Sequence, residues 1–450
     1  MVFKKERTKN GRPTKKAKLP AKPMIPKART ITNFDTPITE LDTRERCELI
    51  AELSESILED PQGAFATIAP QNSSEDGAKE NYSVGNQSKM RRLLDLANPL
   101  KNQNDDTTSR LSLLSLLALF QDILPSYRIR LPTAEELSVR VTKETKKVWD
   151  YERALLSTYQ QYLKLLEHEW DAGNEKKQKG KAQTLGIVCV TSLLCFCELL
   201  KSALHFNFRS NIISIVVKQM NHRSCDEVSS ACCAAVSYLF ENDKQGDVAL
   251  EAAKLACKMI KDAYAKKSHG SMNVRPAVVQ SFLNLPLRVH EDEAQAAKLA
   301  EQANTKKRKR DQEANDLEQD MREGESAIDK ITLARSQADT LHAIVLAYFR
   351  ILKGIDPPSK SKTQANTFYN TNLLAPALEG LGKFGHLINF DTVSDLLVVL
   401  KGLLKDVDSL PLGASLGCIL TAFQTLQNAG RELQIDQKEY VTPLYSQLPR

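Results

Sequence analysis

The chain has 450 residues, of which 42% are hydrophobic and 26% charged, with a formal net charge of +6. This composition excludes a wholly disordered chain, and the length suffices for roughly two to four domains or one long repeat array. Because only 6% of the residues are aromatic, the core must consist mainly of Leu, Ile, Val and Ala, which favours helices.

The first thirty residues form a basic segment with a net charge of +10, so the rest of the chain sums to −4. Without hydrophobic periodicity, residues 1–40 are predicted to be a disordered tail. This tail is expected to contact nucleic acid or to carry a nuclear address. The alternative is a solvated tail that aids solubility. Because Phe3 is the one aromatic residue of the first thirty, salt-sensitive phosphate contact is expected rather than base stacking. The candidate phosphate contacts are Lys4, Lys5, Arg7, Lys9, Arg12, Lys15, Lys16 and Lys18.

A short helix (41–58) and a loop (60–88) fill the predicted segment 41–89, and a helical-repeat domain is predicted over 90–290. Its first helix spans 110–124 and is apolar on most sides, so it should be buried. A capping box formed by Thr133 and Glu136 predicts the start of a long helix. That helix should end near Trp170, before a flexible basic linker over 171–181. Further helices are expected near 183–204, 209–221, 226–240, 248–264 and 275–285.

Residues 205–221, HFNFRSNIISIVVKQMN, place polar side chains directly before an apolar run. The stretch is either a chemical site or a junction between two helices. Asn207 or Ser210 could cap the second helix, and Phe206 and Phe208 could hold the turn together. Since buried helices are predicted on both sides, the pattern favours a junction in a scaffold.

The next segment, 291–326, is highly charged and predicts an exposed helix or a linker. Its basic cluster matches a short nuclear-localisation pattern, although acidic flanks also fit an ordinary charged helix face. The residues of this candidate nuclear address are Lys306, Lys307, Arg308, Lys309 and Arg310. A C-terminal helical domain is predicted over 327–450. Its first helix is closed by Gly354, a loop follows over 355–371, and helices are expected near 372–388, 391–405, 412–428 and 437–448.

Successive helices of this length, joined by short turns, predict an all-α fold. An irregular HEAT-like or armadillo-like solenoid with a disordered basic N-terminal tail is expected, because the helix pairs repeat about every 40 residues. A globular helical bundle is the alternative. No signal peptide and no membrane-spanning segment are predicted.

No catalytic, cofactor-binding or metal site is predicted. The nine cysteines form no CxxC pair and lie largely in helical patterns, which predicts reduced core thiols. Gly380, Gly382 and Gly385 match the letters of a dinucleotide-binding loop, but no strand precedes them, so close helix packing explains them better. Ser415 lies at the centre of GASLG, yet the strand and the later His of a nucleophile elbow are missing.

Five stretches are more specific than generic helical repeats: FQDILPSYRIRLPTAEE (120–136), YERALLSTYQQYLKLLE (151–167), LLCFCELLKSALHFNFRSNIISIVVKQMN (193–221), VRPAVVQSFLNLPL (274–287) and LEGLGKFGHLINFDTVSDLLVVL (378–400). In this order they resemble the nucleolar complex-associated protein 3 family, over roughly residues 90–450. The resemblance implies a domain of the CCAAT-binding-factor type within 327–450. Family members usually continue with further helices and carry longer N-terminal regions, so a shortened chain is expected.

The resemblance further implies a non-enzymatic scaffold of the nucleus and nucleolus in large ribosomal subunit biogenesis. Its roles would be pre-rRNA processing, assembly and intranuclear transport of pre-ribosomes. The implied partners are a nucleolar complex protein 2 family protein, pre-ribosomal particles and rRNA, with no cofactor, membrane or small-molecule substrate. A chromatin-bound factor in DNA replication initiation is the alternative.

Overall fold

A computed structural model describes Phe34 and residues 36–65, 88–102, 105–133, 136, 140–178, 185–223, 225–265, 274–288, 314–354, 364–405, 410–429 and 438–447. Regular structure in these ranges is helical throughout, which confirms the predicted all-α class. The helices are α1 (Thr43–Glu59), α2 (Lys89–Ala97), α3 (Asp106–Ile123), α4 (Lys143–Gln178), α5 (Ile187–Ser202), α6 (Arg209–Gln219), α7 (Asp226–Asn242), α8 (Asp247–Ala265), α9 (Pro276–Gln280), α10 (Ala314–Lys353), α11 (Gln364–Phe384), α12 (Phe390–Lys405), α13 (Leu412–Ala429) and α14 (Lys438–Gln447).

Each helix packs mainly on helices that are near to it in the chain, as a solenoid requires. α3 and α4 both contact α5, α5 contacts α7, and α8 lies along α10. The stack continues from α10 to α11 and from α11 to α13. Such neighbour-to-neighbour packing buries one continuous core among the described residues, and it confirms the predicted solenoid.

The core is largely aliphatic, and several of its aromatic rings meet where α3, α4 and the α5–α6 turn cross. The ring of Phe120 lies 5.2 Å from both Tyr159 and Tyr162, measured between centroids. Phe206 lies 5.4 Å from Tyr159. The Tyr162 hydroxyl donates a 2.9 Å hydrogen bond to the Leu113 carbonyl, so its buried polar atom is satisfied.

The N-terminal half differs from the sequence prediction in two places. The short helix α2 was predicted neither as a helix nor as part of the core, although Leu93 and Leu96 are fully buried. The long helix α4 continues through residues 171–178, which were predicted to be a linker. Helix formation is extended there because the charged stretch has good helix formers and no proline.

The predicted capping box is present, but α4 starts further on. Thr133 N–H donates to the Glu136 carboxylate at 2.8 Å, and Glu136 N–H donates to the Thr133 hydroxyl at 3.4 Å. The start of α4 is capped instead by Thr142, whose hydroxyl accepts a 3.1 Å bond from Thr145 N–H. In the C-terminal half, α11 begins within the predicted loop 355–371, so that loop is shorter than expected.

Candidate partner-binding surface

The residues predicted to contact phosphate, Lys4 to Lys18, lie outside the described part of the chain, and so does the candidate nuclear address Lys306–Arg310. These assignments therefore remain predictions.

The glycines of α11 serve helix packing, as predicted. A Cβ at Gly380 would overlap the hydroxyl of Tyr348 from α10, and one at Gly382 would overlap the side chain of Gln424 from α13. These glycines lie inside a helix, without the strand-to-helix turn of a dinucleotide site.

Ser415 is buried in the first turn of α13, where its hydroxyl donates to the Pro411 carbonyl at 3.4 Å. It does not stand on a strand-to-helix turn, so a nucleophile elbow is not formed.

The nine cysteines are free thiols, and most of them are buried. Burial raises the pKa of the Cys195 thiol to about 11 and that of Cys257 to about 12, so both stay protonated at neutral pH. Among the described residues, no group of His, Cys, Asp or Glu is arranged to hold a metal ion. The described helices also include none with the length and apolar character needed to cross a bilayer.

The stretch 205–221 is a structural junction, but its polar residues act differently from the prediction. The Asn207 amide bridges to the backbone of Ile129: its Oδ1 accepts from Ile129 N–H at 2.9 Å, and its Nδ2 donates to Ile129 C=O at 3.0 Å. Asn207 and Ser210 therefore do not cap α6, whose N-terminal flanking residue is Phe208. Asn207 instead fixes the segment that joins α3 to α4.

Phe208 adopts a φ of 65°, in the left-handed region that bulky residues rarely occupy. Such a conformation costs about 1–2 kcal/mol. Its ring lies 6.2 Å from Tyr159, and the adjacent Phe206 is buried. The predicted role of the two phenylalanines in holding the turn agrees with these contacts.

The starts of α7 and α8 differ in the residues that flank them. Ser224 lies outside the described residues, and Cys225 precedes α7 directly. At α8, the Asp243 carboxylate accepts a 2.7 Å hydrogen bond from Ala249 N–H, and the Asp247 carboxylate accepts one from Val248 N–H at 2.8 Å. Asp247 also pairs with Arg209 of α6 at 2.5 Å.

A surface groove lies directly beside the Asn207–Ile129 bridge. It has a volume of about 230 Å³ and separates the α3–α4 connection from the first half of α4. We call it the α3–α4 groove. Its walls are formed by Gln62, Ile123, Pro125, Tyr127, Ile129, Lys147, Val148, Tyr151, Glu152 and Leu155.

The apolar stripe of α4 runs out of the core and into this groove. Leu155 is buried, Tyr151 is half-buried, and Val148 is 51% exposed. Steps of three and four residues place all three on one stripe of α4, but sequence spacing cannot show where neighbouring helices stop covering that stripe. Across the groove, Tyr127 is 58% exposed. This pattern is typical of a surface that binds another molecule.

Two tyrosines of the groove are held in the neutral form. The Tyr127 hydroxyl donates a 2.8 Å bond to Glu152, and this bond raises the pKa of Tyr127. Burial raises the pKa of Tyr151. Neither group is ionised near neutral pH, so both act as apolar and hydrogen-bonding surface.

A second set of exposed apolar side chains lies on α13. Leu412, Leu416 and Leu420 recur every four residues and are 41–59% exposed. They form one stripe on the outer side of the helix. The structure thus presents two apolar surfaces in different parts of the stack.

A stack of helix pairs with apolar surface grooves defines the class of helical-repeat binding proteins. Comparison with known proteins gives the family within that class. Residues 45–162 match a family model described as Nucleolar complex-associated protein. The chain is 32% identical over 465 residues to the Nucleolar complex protein 3 homolog of Mus musculus, covering 94% of this chain and 53% of that protein.

Two other relatives give the same result. Identity to the Homo sapiens Nucleolar complex protein 3 homolog is 35% over 389 residues, covering 80% of this chain and 44% of the relative. Identity to the Arabidopsis thaliana Nucleolar complex-associated protein 3 is 30% over 405 residues, covering 79% and 45%. The resemblance to the nucleolar complex-associated protein 3 family is confirmed. The chain spans about half the length of these relatives, whose names indicate the predicted nucleolar location.

Proposed function

We propose that this chain is a non-enzymatic nucleolar scaffold in large ribosomal subunit biogenesis. It would act in pre-rRNA processing and in the assembly and intranuclear transport of pre-ribosomes. A protein of the nucleolar complex protein 2 family would be its partner. The observation that carries the proposal is similarity over 94% of the chain to a protein whose name describes a nucleolar complex. A stacked-helix architecture supports it, because such folds offer large surfaces for other macromolecules.

The basic tail would contact rRNA phosphates. The eight Lys and Arg side chains between Lys4 and Lys18 are the proposed phosphate contacts. Each cation that neutralises a phosphate releases counterions, so binding should weaken steeply as salt rises. The proposed contact is independent of base sequence, because it involves no base edge.

Purification of the tagged full chain from nuclear extract, followed by mass spectrometry and RNA sequencing, tests the scaffold role. Precursors of large-subunit rRNA and the nucleolar complex protein 2 partner are expected. Replacing the eight tail cations by Ala should reduce RNA recovery and its salt dependence, whereas an all-Arg tail should retain both. Recovery of origin DNA without rRNA precursors would favour the replication alternative and contradict the proposal.

The nuclear address at Lys306–Arg310 is tested separately by microscopy. A fluorescent fusion with these five residues replaced by Ala should shift towards the cytoplasm. Replacement of the exposed Lys258 and Lys261 on α8 is the control, since it removes positive charge elsewhere. An unchanged nuclear signal in the first variant would place the address in another segment.

A further inference from the structure

The α3–α4 groove has the size and lining of a site for amino-acid side chains. Its volume of about 230 Å³ is below the roughly 300–1,000 Å³ of ordinary small-molecule sites. Ile123, Ile129 and Leu155 give it an aliphatic floor, and Val148 stands at its edge. An aliphatic floor suits a large apolar side chain, while the exposed Tyr127 ring is the surface on which a competing nucleobase would stack.

The segment 126–148, which borders the groove, has more basic than acidic residues, while the groove lining itself holds one of each, Lys147 and Glu152. Residues 126–148 contain six Lys or Arg and three Glu. Arg128, Lys143, Lys146 and Lys147 are exposed, and none of the four forms an ion pair with another described residue. Exposed cations around an apolar groove favour an occupant that carries both carboxylates and a large apolar side chain.

We propose that the α3–α4 groove binds a short acidic segment of a partner protein. A large apolar side chain of that segment would enter between Ile129 and Val148, and flanking Asp or Glu residues would face Lys146 and Lys147. The Asn207 bridge contributes by fixing Ile129, and therefore one wall of the groove, before binding. This proposal adds a partner chemistry to the scaffold role proposed above.

Selection from a phage-displayed library of random 12-residue peptides on the purified full chain tests the proposal. Peptides that combine Asp or Glu with Phe, Leu or Ile should be enriched. The selection is repeated on Val148→Glu, where a new negative charge opposes such peptides, and on Leu420→Glu as the matched control on α13. Both residues are exposed, at 51% and 59%, so neither change should disturb folding, as circular dichroism would verify.

Affinities of the enriched peptide follow from fluorescence anisotropy. Val148→Glu and the Lys146→Glu/Lys147→Glu double variant should each weaken binding about tenfold or more, and the second effect should shrink as salt rises. Leu420→Glu should bind as the parent chain does. A labelled 12-nucleotide oligouridine provides the nucleic-acid arm, and it should not compete with the peptide.

The proposal is overturned by no enrichment, by enrichment of basic peptides, or by equal enrichment on the Val148→Glu variant. Competition by oligouridine would assign the surface to RNA instead. Because the selection uses the isolated chain, its failure leaves the rRNA association measured in extracts unaffected. Failure of that association would likewise leave the peptide result standing.

Discussion

Replacing Asn207 by Ala should loosen the connection between α3 and α4. The Asn207 amide satisfies both backbone groups of Ile129, which lies 78 residues earlier in the chain. Alanine leaves that N–H and that C=O without these partners while Ile129 itself stays buried. The change therefore removes two hydrogen bonds and leaves the N–H and C=O of Ile129 unpaired in a partly buried position.

The expected loss is about 2 kcal/mol of unfolding free energy. One hydrogen bond contributes about 0.5–1.5 kcal/mol net, so the pair contributes about 1–3 kcal/mol, and the partial burial argues for the middle of that range. Asn207→Asp keeps the acceptor for Ile129 N–H but sets a carboxylate oxygen against Ile129 C=O. It should be at least as destabilising as Ala.

Urea unfolding followed by circular dichroism measures the global effect, and hydrogen exchange of the peptide over 126–131 measures the local one. Asn207→Ala should lower the midpoint and speed exchange at Ile129. Asn211→Ala is the matched control, because Asn211 is an exposed residue two positions into the first turn of α6. If Asn207→Ala unfolds at the same urea concentration as that control, with unchanged exchange at Ile129, the assigned role of the bridge is wrong.

Three further predictions concern other parts of the stack. Gly380→Ala should cost about 1–3 kcal/mol because its Cβ overlaps both the hydroxyl and the ring of Tyr348. Gly402→Ala, with open space around it, should stabilise α12, and urea unfolding midpoints measure both changes. Burial alone would raise the pKa of Asp105, but hydrogen bonds from Thr108, from Thr43 of α1 and from Thr107 hold it below its ordinary 3.8. A pKa that is lower in the folded state stabilises the fold at pH values above the unfolded-state pKa, and this stabilisation is lost as pH falls through the folded-state pKa. The parent chain should therefore lose more stability than Asp105→Ala between pH 5 and roughly pH 3. Iodoacetamide should label Cys257 only after denaturant is added, since burial raises its pKa to about 12; native labelling by mass spectrometry would contradict this.

The helices of the middle of the chain could be predicted to within a few residues. α5 to α8 have apolar stripes and are separated by short breaks such as Gly246, whose φ of 75° is natural for glycine. Both signals are local in sequence, so no knowledge of the tertiary fold is needed. The packing role of the α11 glycines was also predictable, because the helical stripe continues through them.

The helix α2 was missed because charged residues occupy buried positions in it. Arg92 is buried and donates to the Thr36 carbonyl, and the half-buried pair of Asp95 with Lys101 is 2.6 Å long. A hydrophobic pattern counts such residues as surface, yet their burial is compensated by partners outside the helix. Sequence periodicity cannot identify those partners in advance.

The α3–α4 groove was not predictable for a related reason. The stripe from Val148 to Tyr162 has one continuous period, but the neighbouring helices cover only its second half. Whether a position on a stripe is core or open surface depends on the length and placement of other elements. The charge of residues 126–148 was visible in the sequence, but its relation to an apolar groove was not.

Three of the five stretches that resemble the family meet at one place in the fold. Phe120 belongs to the first of them, Tyr159 to the second, and Phe206 with Asn207 to the third, and all four lie at the α3–α4–α6 junction. An aliphatic stripe tolerates exchange among Leu, Ile and Val when total volume is kept. An amide that must pair with one backbone residue, or a ring that must meet another edge-on, has fewer substitutes. The residues of the junction therefore identify this architecture more specifically than the longer helices on either side. The junction also fixes one wall of the α3–α4 groove.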